Sequence, residues 1–159
     1  MPDLEQAAIA ARTYVPLLSF LLVCFVGRVV AQIVQGLSPV SGLPPFEQWQ
    51  SGALPYPLLL ASQLLIIVVA AGVIGRLRRG LLRPSRPTGL VLLVLGLIYA
   101  AVMAGRLVIG LTLAPDHYWF AARLPTVFHL VLAAFLLVCA HFHLRQTGRT
   151  QHWRQGERL

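Results

Sequence analysis

The chain has 159 residues, 57% of them hydrophobic and only 11% charged, with a mean hydropathy of +0.74. That is less than half the charge of an ordinary soluble domain, about 25%, and it excludes a fold solvated by water alone; one membrane domain is the natural count. The net charge of +8 comes from 13 basic residues, all arginine. They flank apolar runs instead of clustering on a soluble face, which marks membrane topology and argues against a nucleic-acid surface.

Residues 1–13 read as a cytoplasmic N-terminal segment, with Asp3 and Gln6 spaced to cap a short helix. Its first acids precede any basic residue, and the apolar run behind it is long and interrupted by Arg28. The expectation is therefore a retained helix and not a cleaved signal. Four stretches reach the ~20 residues a bilayer crossing requires: 14–36, 55–75, 89–113 and 125–144. Pro16, Pro55, Pro57, Pro87 and Pro125 fall at or beside their N-terminal ends, where a missing N–H costs little.

The connecting segments differ in charge. "RLRRGLLRPSRP" carries Arg76, Arg78, Arg79, Arg83 and Arg86, and the tail 145–159 carries Arg145, Arg149, Arg154 and Arg158. The first loop has no basic residue and the third has only Arg123. The positive-inside rule then places both termini and the middle loop in the cytoplasm of an inner-membrane protein. Trp49 and Trp119 lie in the outer loops, at the level of an aromatic belt. The tail reads as irregular or interfacial, with Trp153 touching head groups or a partner. Cys24 and Cys139 lie in apolar runs without a second cysteine at redox or zinc spacing, and read as small hydrophobes.

The sequence repeats. "GRVVAQIVQGLSP" aligns with "GRLVIGLTLAP", and "WQSGALPYPLLLASQ" with "WFAARLPTVFHLVLA". Gly27-Arg28 thus matches Gly105-Arg106, and Trp49 with Leu54-Pro55 matches Trp119 with Leu124-Pro125. The expected fold is an all-α four-helix bundle of two tandem two-helix repeats, related by a pseudo-two-fold axis along the membrane normal.

Arg28 and Arg106 then lie at similar depth, about 10–12 Å inside the outer leaflet at 1.5 Å per residue. An intramembrane charge is expensive and needs a named partner. No Asp or Glu falls within a span, so the structural expectation is that Glu47 and Asp116 fold back onto the two arginines. The functional expectation adds their neighbours. Arg28, Gln32 and Gln35 share one face at i, i+4 and i+7, with Cys24 one turn further in. Gln63, His129, and the stripe Arg106, Met103 and Tyr99 come from the other spans. Facing inward, Arg28, Gln32, Gln63, Arg106 and His129 would make one outer-leaflet pocket for a lipid phosphate, fatty carboxylate, haem propionate or quinone head group.

His129 and His143 are fourteen residues apart on one span, and His141 points elsewhere. That spacing resembles dihaem cytochromes b, and the resemblance implies haem b held by His129 and possibly His143. The first three spans contain no histidine. Such a haem would need a homodimer, a partner subunit or another kind of second ligand. No nucleophile, zinc-protease, phosphate-loop or paired-carboxylate motif occurs, and no catalytic residue is assigned. Gly27, Gly72, Gly75, Gly96, Gly105 and Gly110 are placed to let helices approach closely. The functional expectation is a lipid-like or quinone-like ligand bound by an accessory subunit, in a homo-oligomer or on a larger membrane partner. The alternative is a haem-binding electron-transfer subunit.

Overall fold

A computed structural model describes residues 12–50 and 52–156. The described residues are helical, and four helices are long and apolar enough to cross a membrane. They are α1 (Val15–Leu37), α2 (Tyr56–Arg78), α3 (Arg86–Thr112) and α4 (Arg123–Gly156), the apolar part of α4 being Arg123–Thr147. A short 3-10 helix, Phe46–Trp49, lies between α1 and α2. The expected cap of Asp3 and Gln6 and the side chain of Trp153 lie outside the described residues.

Local chemistry sets the helix ends. Proline occupies the first or second position of α1, α2 and α3, where no intrahelical partner is lost. α2 stops at Gly80, whose φ of 67° suits a residue without Cβ. There Leu81 N–H donates to the Arg76 carbonyl and Gly80 N–H to the Leu77 carbonyl, the paired closure that ends many helices. α2 runs past the expected end at 75 because Arg76 and Arg78 suit a last helical turn. The tail is not irregular as expected. It continues α4 to Gly156, with Arg and Gln, which are good helix formers, making up half of residues 145–156.

The extensive helix interfaces are α3 with α4, α1 with α2, and α1 with α4. α1 and α4 are therefore the central pair, with α2 packed on α1 and α3 on α4. Val15 and Leu18 of α1, Ala70, Ile74 and Leu77 of α2, and Phe135, Cys139 and Phe142 of α4 form one apolar cluster. It sits toward the end of the bundle that carries the arginine-rich loop. α3 reaches this cluster through Leu92; it packs on α4 through Gly89 and Gly96 and on the second outer loop through Gly110, all three buried.

These glycines recur at multiples of seven and present one face. A Cβ on Gly96 would stand 2.8 Å from Leu137, and one on Gly89 would stand 2.9 Å from Leu144. A Cβ on Gly110 would collide with the Phe120 carbonyl. The close approach expected at the other glycines is absent. Added Cβ atoms at Gly27, Gly72, Gly75 and Gly105 meet nothing within 4 Å, because those positions face away from neighbouring helices.

Candidate functional site

Arg28 and Arg106 are both buried, 7% and 4% exposed. Neither finds a carboxylate. Arg28 donates from Nη2 to the Trp49 carbonyl. Arg106 donates from Nε and Nη2 to the Trp119 carbonyl, at 3.1 and 2.6 Å. The expected folding-back of Glu47 and Asp116 is thereby replaced, and both acids are exposed. The physical reason is local. A carbonyl at the end of a 3-10 helix or in a turn lacks a helical donor, and it can be brought over a guanidinium without desolvating a second charge.

Aromatic rings complete each arrangement. The Arg106 guanidinium lies 4.2 Å from the Trp119 ring centroid, and that of Arg28 lies 5.8 Å from the Phe128 ring. Both distances fall within the range of cation–π attraction, about 6 Å. The first loop is held by further bonds. Trp49 is buried, and its indole N–H donates to the Pro44 carbonyl at 2.9 Å. The Val40 N–H donates to Gln35 Oε1, also at 2.9 Å. Gly36 leaves room for the Phe46 ring, which would stand 3.0 Å from a Cβ there.

A small cavity of about 70 Å³ lies beneath the first loop. Arg28 of α1, Ser62 and Gln63 of α2, His129 of α4 and Gln50 of the loop supply its polar lining, with Phe25, Phe128 and Leu132 among the apolar walls. Gln63 is 3% exposed and Gln32, fully buried, stands behind it. Gln63 Nε2 donates to Gln32 Oε1 at 3.3 Å. Three buried polar atoms here have no hydrogen-bond partner: Arg28 Nε, Gln32 Nε2 and Gln63 Oε1. Buried polar atoms are ordinarily paired, so three in one place need an explanation. On the far side, His129 Nδ1 and the Tyr99 hydroxyl of α3 share a 2.5 Å hydrogen bond.

The structure thus brings Arg28, Gln63 and His129 around one cavity and places Gln32 against it. Arg106 does not line this cavity. It closes over the second loop instead, so the expected pocket with two positive charges is one cavity with one. Gln50, Ser62 and Phe128 were not foreseen as lining. Only the repeated Trp after each Gly-Arg pointed to the arginine partners, since a backbone carbonyl has no sequence signature.

Within one copy of the chain the histidines do not come together as a haem site. His129 borders a cavity far too small for a macrocycle. His143 lies at the other end of α4, where its Nδ1 accepts the Ser85 N–H at 3.1 Å. Among the described residues, no group of three or more His, Cys, Asp or Glu is placed to hold a metal ion.

A wider cleft of about 620 Å³ opens between the two outer loops, lined by Glu47, Gln48, Tyr118 and Arg123. Gln50 belongs to both this cleft and the small cavity. The chain matches no family model, no curated protein and no solved structure.

Proposed function

We propose that this chain is a multi-pass membrane protein that binds the polar head of a lipid-like molecule in the cavity beneath the first loop. The observation that carries this reading is the trio of buried, unpartnered polar atoms on Arg28, Gln32 and Gln63, beside an arginine with no carboxylate. Arg28 Nε is a donor carrying positive charge. The glutamine pair serves either kind of partner: turning both amides over keeps their mutual bond and presents an N–H in place of the oxygen. Size narrows the head group. A cavity of about 150 Å³ accommodates one benzene ring, and this one is about half that. A carboxyl or similar small group fits; a quinone ring requires the first loop to move.

The orientation and duplication expected from the sequence belong to the same proposal. Arginines crowd the α2–α3 loop while the opposite loops hold only Arg123, which supports cytoplasmic termini and an outer-leaflet site in an inner membrane. The two arginine–tryptophan pairs, one in each half, support a two-helix repeat. α2 and α3 bury few of their residues within the monomer, which supports a role as accessory subunit or homo-oligomer in a larger membrane complex.

The test is native mass spectrometry of the detergent-purified protein, followed by extraction of bound lipid. Wild type is expected to retain an acidic amphiphile, and Arg28→Gln to lose it while keeping its helical circular-dichroism spectrum. An identical bound population in wild type and Arg28→Gln overturns the reading.

A further inference from the structure

We infer that the occupant is a single-chain carboxylate, a long-chain fatty acid, whose tail lies in a groove between α2, α3 and α4. This deepens the proposed function and rests on it. The groove has a volume of about 380 Å³ and an almost wholly apolar lining, in which Val69, Ala70, Tyr99 and Leu136 represent the three helices. It exists because α2 and α3 have no extensive interface of their own. Its size falls within the usual range of small-molecule sites, about 300–1,000 Å³.

Two observations tie this groove to the polar cavity. Ile66 and Leu132 form walls of both. The 2.5 Å bond from Tyr99 to His129 spans the same boundary, with Tyr99 on the groove and His129 on the cavity. A molecule that fills both spaces is polar at one end and apolar along the rest. Its direction is also set. Arg28 and Gln63 lie nearer the loop end of their helices, while Val69, Ala70 and Leu136 lie further along toward the bilayer centre, so head and tail follow the sense of a lipid in that leaflet.

Charge and shape select within the amphiphiles. A carboxylate supplies the negative charge that Arg28 lacks and an acceptor for Arg28 Nε. The cavity admits a carboxyl but not a phosphodiester with its glycerol and head group. A groove of about 380 Å³ suits one acyl chain, whereas a phospholipid carries two. Selection rests on head group and fit, because an apolar tail gains no hydrophobic free energy in moving from lipid to protein.

The test is photolabelling of the full-length protein in detergent with a sixteen-carbon fatty acid carrying a mid-chain diazirine. Labelled peptides are expected to contain Val69 or Leu136, and unlabelled hexadecanoic acid is expected to compete at least tenfold better than hexadecanol or a diacyl phosphatidylglycerol. Val69→Trp fills the groove from its exposed side, and labelling is expected to fall at least tenfold with thermal unfolding unchanged. Arg28-dependent binding of the fatty acid, with labels elsewhere and no effect of Val69→Trp, overturns the groove and leaves the head-group site standing. Equal competition by the phospholipid overturns the single-chain assignment. Labelling equal in wild type and Arg28→Gln overturns both this inference and the function it rests on.

Discussion

Tyr99 and His129 meet through a 2.5 Å hydrogen bond that crosses from α3 to α4, in the pair of helices brought closest by glycine. The bond sits where the polar cavity meets the apolar groove, and it gives the Tyr99 hydroxyl a partner on the groove side. Tyr99→Phe is expected to lower stability by about 0.5–1.5 kcal/mol, the usual worth of one such bond. Equilibrium unfolding of purified protein in detergent measures it. Stability equal to wild type means that His129 finds a replacement partner.

Arg106 shows how much each loop depends on its guanidinium. Two N–H groups converge on one Trp119 carbonyl while the plane lies over the Trp119 ring. A lysine offers a point charge without the planar fork. Arg106→Gln is expected to cost about 1–3 kcal/mol, since it removes a hydrogen bond to a charged group. Arg106→Lys is expected to recover only part of that. Limited proteolysis at the second outer loop, around Asp116, should speed up in both variants, and unchanged cleavage would sink the idea that Arg106 secures the loop.

The glycines separate into two groups by their surroundings, and alanine substitution should separate them by outcome. At Gly110 a Cβ meets the Phe120 backbone, which cannot step aside as a side-chain end can. Gly110→Ala is expected to cost about 1–3 kcal/mol, as overpacking does. Gly72 faces open space, so Gly72→Ala is expected to be neutral or to stabilise by up to about 1 kcal/mol through helix propensity. Thermal unfolding in detergent ranks them, and an equal effect at both positions would show that close packing at Gly110 is not what that glycine provides.

The arginine-rich loop provides the test of orientation. In a variant with Cys24→Ala and Cys139→Ala, Ser85→Cys and Gln48→Cys place single thiols at opposite ends of the bundle. A membrane-impermeant maleimide added to intact cells is expected to label the Gln48→Cys protein and to reach the Ser85→Cys protein only after permeabilisation. The reverse pattern would invert the topology and move the cavity to the cytoplasmic leaflet.

The four crossings were legible because twenty apolar residues in a row have one economical solution in a bilayer. Their ends followed the prolines to within a few residues. The face shared by Arg28, Gln32 and Gln35 was legible too, since helical spacing alone puts them together, and all three are buried. What stood opposite them was not. Glu47 and Asp116 were reasonable partners by charge, yet the burial cost of a second ion favours a neutral carbonyl already held by the loop. The separation of Arg106 from the cavity was hidden as well. It depends on which helix α3 packs against, and hydropathy does not encode that. The glycine seam carried a partial signal in its sevenfold recurrence at Gly89, Gly96 and Gly110, but Gly27, Gly72, Gly75 and Gly105 look the same in sequence and face away from the neighbouring helices.

The pairing of α2 with α1 and of α3 with α4 has a consequence for how the chain is held as one object. The link at 79–85 joins two helices that do not pack extensively on each other, while α1 and α4 make the extensive interface between the halves and α2 adds to it in the apolar cluster. That link contributes local concentration and, through Ser85 on His143 and Leu82 on the apolar cluster, two contacts with the bundle. Expressed as two polypeptides divided at Gly80, the halves are expected to find each other in the membrane and co-purify.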